Sequence, residues 1–140
     1  MTNQLYGQRA SDSIVVRPQG DSARLTPNFK VQEFACPCDR DACSIVVVHW
    51  ALVSVLQLIR NRVGPVVIRS GYRCPSHNAE INGAGDSLHI CGMAADISAE
   101  LRPEELASVA DAAGAGGIGV YPRHVHVDVG ELRFWEGDYD

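Results

Sequence analysis

Two stretches of this sequence gather residues that can do chemistry. Ser87-Leu88-His89-Ile90-Cys91-Gly92-Met93-Ala94-Ala95-Asp96 and Arg123-His124-Val125-His126-Val127-Asp128 hold three of the five histidines. On an extended chain, residues two apart share a face, so His124, His126 and Asp128 project together while Val125, Val127 and Val129 turn toward the core. Such a polar stripe on a buried strand needs a reason. Imidazole nitrogen and carboxylate oxygen are ordinary zinc donors, and a catalytic zinc keeps three protein ligands with one position open to water. His89, Asp96 and His126 would supply that set. Taken singly, each has a plainer reading as a loop histidine, a capping aspartate or part of a solvated strand face. Taken together, on separate segments with glycines that permit close backbone approach, they point to a metal site.

The elements that must hold these residues follow from hydrophobic spacing. Val48, Leu52, Val55, Leu56 and Ile59 recur at three- and four-residue intervals, which predicts a buried helix over 44–62, stopped by Gly64-Pro65. Val66 to Ser70 reads as a β-branched strand that Gly71 ends, feeding a loop with Tyr72 and Arg73. A short helix over 75–81 and a turn over 82–86 lead to His89. A strand over 93–97 follows, and then a helix that starts at Pro103 and ends at the glycines from Gly114. Gly117 to Tyr121 and Val125 to Val129 are the last strands, and the Trp135 tail closes the domain. Helices flanking a small antiparallel sheet make the fold class α+β. Residues 1–27 read as an N-terminal arm in which Ile14-Val15-Val16 could pair as an edge strand, and 28–140 as the domain.

Composition narrows the partners. A chain of 140 residues that is 46% hydrophobic supports one globular domain and excludes disordered and fibrous classes. Twelve basic against 17 acidic residues leave a net charge of −5, which argues against nucleic acid or an anionic membrane held by charge alone. The apolar run from Ile45 to Ile59 falls short of the roughly 20 residues that a membrane span needs, and Met1 to Ala10 does not read as a secretory signal. The five cysteines, Cys36, Cys38, Cys43, Cys74 and Cys91, are odd in number, so at least one is unpaired within the chain. Cys36-Pro37-Cys38 followed by Cys43 lacks the two C-x-x-C pairs of a zinc ribbon. The expectation is therefore one or two disulfides, or reduced packing thiols, rather than a second metal site.

The ordered set of motifs resembles a known family. Ser-Gly-Tyr-Arg at 70–73, Ser-x-His-x-x-Gly-x-Ala-x-Asp at 87–96, Gly-Gly-Ile-Gly-Val-Tyr-Pro at 116–122 and His-Val-Asp-Val-Gly at 126–130 look like the D-Ala-D-Ala carboxypeptidase family of zinc peptidases. That family includes murein endopeptidases and phage lysis enzymes and is related to the hedgehog-type fold. The resemblance runs from about Asn28 to Trp135. It implies Zn2+ held by His89, Asp96 and His126, and Arg73 facing a carboxylate of the substrate, for which a guanidinium is the fork-shaped donor. Ser87 either orients a ligand or forms a turn. Several family members carry an acidic general base three places before the last zinc histidine, and here that place is Arg123. His124 looks like the first histidine of the His-x-His of related zinc peptidases, where it assists water activation or steadies the oxyanion. Asp128, on the same face, is the competing candidate.

The resemblance implies a zinc peptidase cutting peptidoglycan stem peptides or their cross-links, of D-Ala-D-Ala type. An acidic chain without a signal fits a monomeric phage or prophage lysis enzyme that reaches the wall through a pore formed by another protein. The alternatives are an L-Ala-D-Glu endopeptidase and a zinc-binding wall module without activity.

Overall fold

The computed structural model describes residues 14–38 and 43–138. In chain order its elements are β1 (Ile14–Pro18), β2 (Arg24–Thr26), β3 (Phe29–Lys30), a 3-10 turn (Val31–Phe34), β4 (Ile45–His49) and α1 (Trp50–Val63). Then come β5 (Val66–Ser70), α2 (Pro75–Glu80), β6 (Ala94–Ala99), α3 (Pro103–Ala112), β7 (Gly117–Val120), β8 (Val125–Asp128) and β9 (Arg133–Glu136). No described helix is long and apolar enough to cross a membrane.

The helix expected over 44–62 is a strand followed by a helix. Ile45 to Val48 is an unbroken β-branched run, and its burial alternates along β4, which pairs antiparallel with β1 from Ile14↔His49 to Pro18↔Ile45. Branching at Cβ restricts χ1 against a preceding helical turn, so the run goes to the sheet and the helical period takes over only at Trp50. α1 ends where expected, with Gly64 at φ +87°. The expected arm is part of the packed body from residue 14 onward. β1 pairs with β4, and Ala23 and Leu25 are buried in the core. Residues 1–13 lie outside the described residues.

The main sheet has the order β5-β6-β8-β7-β9. It is antiparallel as expected through β7, but β9, where a tail is expected, joins β7 in parallel. One face of the sheet, with Ile97, Ile118, Val125 and Val127, joins Leu52, Leu56 and Ile59 of α1 and Leu106 and Ala110 of α3 in a single core. The alternate residues face the other way, and strand register lines them up in two rows. Ser70, Asp96, His126, Gly119 and Trp135 are successive cross-strand partners, and so are Ala94, Asp128, Gly117 and Arg133.

Both rows pass through a glycine of β7, and the missing side chains set how close the outer residues come. A Cβ on Gly119 would stand 2.5 Å from Cε2 of Trp135, and one on Gly117 would overlap Asp128 and Arg133. Because these overlaps are with an indole and an ion pair in place, Gly119→Ala should cost about 1–3 kcal/mol in chemical denaturation. Gly85→Ala, where a Cβ meets nothing within 4 Å, should be neutral or slightly stabilising.

Candidate metal centre

Asp96 is the second residue of the first row, between Ser70 and His126. Its Oδ1 lies 3.3 Å from Nδ1 of His126 and 3.4 Å from Nε2 of His89. His89 comes from the turn before β6, and its Nδ1 lies 2.8 Å from the carbonyl oxygen of Gly71. A carbonyl can only accept, so Nδ1 carries a proton and Nε2 is the nitrogen that faces Asp96, donating to it when protonated and free to take a metal when not. His126 is fixed in the opposite sense, with its Nε2 2.7 Å from Oδ2 of Asp128. The three donor atoms, His89 Nε2, Asp96 Oδ1 and His126 Nδ1, all lie within 4.8 Å of one another. Neighbouring donors around a tetrahedral zinc with bonds of about 2.0–2.1 Å are separated by about 3.3–3.4 Å. The two nitrogen–oxygen separations match that spacing, so the donor set fits zinc.

The charge state favours a cation as well. Burial acts to raise the Asp96 carboxyl, but hydrogen bonds from His126 and His89 outweigh it and hold the group well below the usual carboxylate range. Burial also opposes the charge on Asp128, and there His126, Arg133 and the Gly130 amide prevail in the same direction. His126 loses by burial and gains more from Asp128 and Asp96, so its pKa rises above the ordinary value.

Of the residues expected in the site, Asp128 takes a positioning place. It is fully buried, and its Oδ1 accepts the amides of Gly117 and Gly130 at 3.0 Å and Nη1 of Arg133 at 3.1 Å. Its Oδ2 accepts Nη2 of Arg133 at 2.7 Å in addition to His126. Every direction around this carboxylate is taken up by a donor that orients the His126 ring. Ser87 forms the turn, its Oγ accepting the His89 amide at 3.3 Å.

Arg73 is buried beside the metal donors. Its Nη2 reaches Oδ2 of Asp96 at 3.2 Å, its Nε reaches Oγ of Ser70 at 3.1 Å, and Nη1 lies 3.4 Å from Oδ1 of Asn78. The guanidinium thus holds the oxygen of Asp96 that faces away from the imidazoles. His124 stacks on Tyr121 with ring centroids 4.6 Å apart and planes 7° from parallel, and its Nε2 is 3.9 Å from Oδ1 of Asp96. Arg73, His89, Asp96, His124 and His126 line one cleft of about 490 Å³, and Arg123 is exposed on the adjoining hollow.

Sequence reasoning missed Arg133, Trp135, Tyr121 and Asn78. Trp135 covers the far side of His126, with ring centroids 5.1 Å apart, and its Nε1 donates to the Tyr121 hydroxyl at 2.9 Å. The Gly-x-Gly of β7 was the available signal, since a sheet strand without side chains on one face lets its neighbours meet across it.

Asp128→Asn should lower zinc affinity about 10–100-fold by turning an amide donor against the donors of His126 and Arg133. His89→Ala or His126→Ala should remove one equivalent of zinc without unfolding the chain, as read by elemental analysis beside circular dichroism.

Comparison with known proteins bears on what such a centre does. The family model described as Peptidase M15 matches residues 27–129. The zinc D-Ala-D-Ala carboxypeptidase of Streptomyces albus G is 34% identical over 97 residues, covering 61% of this chain and 37% of that protein. The chain therefore spans little more than a third of that relative's length.

Proposed function

The chain belongs to the peptidase M15 family, and from that premise we propose that it is a zinc-dependent peptidase acting on peptidoglycan stem peptides or their cross-links. The observation that carries the proposal is the three-donor cluster, with both nitrogen–oxygen separations at tetrahedral spacing, set in a cleft with a buried arginine and a third histidine. The kinship with a D-Ala-D-Ala carboxypeptidase supports the substrate class and the zinc. Zinc held by His89, Asp96 and His126 would supply a Lewis acid for the scissile carbonyl and a source of hydroxide at neutral pH.

The chain's own groups take the remaining parts. His124 is the proton carrier or oxyanion donor, because its ring is steadied by Tyr121 and its Nε2 faces the cluster. Arg73 sets substrate register by offering a planar pair of donors to a carboxylate, which a lysine ammonium does not reproduce. Asp128 supports this chemistry from behind His126. We place the activity in bacterial wall lysis of the phage or prophage kind, on the strength of the motif resemblance to phage lysis enzymes.

Digestion of defined muropeptides, with mass analysis of the products, tests the proposal. Release of D-alanine from a pentapeptide supports the carboxypeptidase form, and cleavage between L-Ala and D-Glu supports the endopeptidase form. No cleavage of any stem peptide by the zinc-loaded protein would overturn the reading. His124→Ala should keep its zinc while kcat falls by roughly two to four orders of magnitude. At saturating zinc, Asp128→Asn should lose less. Arg73→Ala and Arg73→Lys should both act poorly on stem peptides, with the larger effect in kcat/KM.

A further inference from the structure

The cysteines make a second cluster that the proposed reaction does not use. Cys36 and Cys38 follow the 3-10 turn, Cys43 precedes β4, and Cys74 is the N-cap of α2. Their four Sγ atoms lie within 4.8 Å of one another. Cys36 to Cys38 is 3.6 Å, Cys38 to Cys74 is 3.6 Å and Cys36 to Cys74 is 3.8 Å. A disulfide would bring two of these sulfurs to about 2.05 Å, and no described pair is so bonded. Four thiolates around a tetrahedral zinc with bonds of about 2.3 Å stand about 3.8 Å apart. The observed separations are of that size, and they are far too short for the corners of an iron–sulfur cube. Backbone amides also converge on the sulfurs, with those of Cys38 and Cys74 directed at Cys36 and that of His77 3.4 Å from Sγ of Cys74. Amide-to-sulfur bonds of this kind orient thiolate ligands and stabilise their charge.

We propose that Cys36, Cys38, Cys43 and Cys74 bind a second zinc ion in a closed, structural site of four thiolates. The proposal departs from the sequence expectation of disulfides or packing thiols because the fourth ligand comes from a distant segment and completes a set that local spacing does not reveal. With four protein ligands there is no open position, so the role of this ion is to hold structure. It ties the loop after the 3-10 turn to the residue that follows Arg73. The same two segments already meet through the Tyr72 amide, which donates to the Phe34 carbonyl at 2.8 Å. Gln19 braces the loop from outside, its Nε2 2.9 Å from the carbonyl oxygen of Cys36. Cys91 is exposed and stands apart from the cluster.

The test is metal analysis and cobalt substitution of the full chain, purified with a reductant that does not bind metal. The unaltered protein should carry two zinc ions, and the His89→Ala/His126→Ala variant should carry one. Cobalt-loaded protein should show thiolate-to-cobalt charge transfer in the near ultraviolet, a band the nitrogen and oxygen donors around Asp96 cannot produce. That band is read on the unaltered chain, so the result stands even if a variant fails to fold. After unfolding in chelator without reductant, all five cysteines should take up a thiol label. Absence of the cobalt–thiolate band overturns the proposal, with full labelling then meaning packing thiols and partial labelling meaning disulfides. A single zinc accompanied by the band would instead remove the Asp96 centre and leave the cysteine site standing.

Discussion

A single carboxylate, that of Asp96, ties the candidate site together. It is buried on the central strands, where an unpaired charge costs several kcal/mol. One oxygen faces two imidazole nitrogens and the other a guanidinium, so His89, His126 and Arg73 are arranged around one charge. The consequence reaches beyond the metal donors. The sheet must place β6 beside β8 in the register that sets Asp96 opposite His126, and the 71–74 and 87–92 segments must close over its end. The backbone hydrogen bond from Arg73 to the His89 carbonyl, at 3.1 Å, laces those two segments together. A shift of one residue in the β6–β8 pairing would turn the donors into the core and the valines into the cleft.

Much of this was legible in the sequence because it is periodic or local. The alternation over 124–129 gives the correct face to every residue of the stripe, and Gly64, Pro75 and Pro103 mark real helix boundaries. Three features were not legible, each for a physical reason. The β-branched run of 45–48 shares its hydrophobic positions with the helix that follows it, so periodicity alone merges the two. β9 has an exposed pattern apart from Trp135, and only its parallel pairing with β7 makes it a strand. The cysteine cluster depends on Cys74, whose approach to Cys36 follows from the tertiary path of the chain and not from spacing.

β7 shows how residues without side chains shape a site. Ile118 faces the core while Gly117 and Gly119 lie in the two polar rows, so β8 and β9 meet across β7 over a bare backbone. Arg133 reaches Asp128 over Gly117, and Trp135 reaches His126 over Gly119. His126 is thereby held on one edge by a charged, fully bonded carboxylate and covered by an indole, which leaves Nδ1 as its outward donor. Asp128 thus shares the face of the candidate metal donors while its carboxylate is already taken up by Gly117, Gly130, Arg133 and His126.

Arg73 and Cys74 join the two clusters through one peptide bond. Arg73 reaches forward to Asp96, while the Sγ of Cys74 reaches back to Cys36 and Cys38. A guanidinium that holds an aspartate and, in the function proposed above, also reads a substrate carboxylate has to be placed to within a few tenths of an ångström, and a loop that begins at Gly71 does not fix itself that well. Anchors on both sides of Arg73 supply that placement. The His89 carbonyl takes its amide, and the crowded sulfurs fix the residue after it. The position of the arginine is therefore set by backbone and sulfur contacts before the side chain meets any ligand, which is the condition for preorganised recognition of a carboxylate.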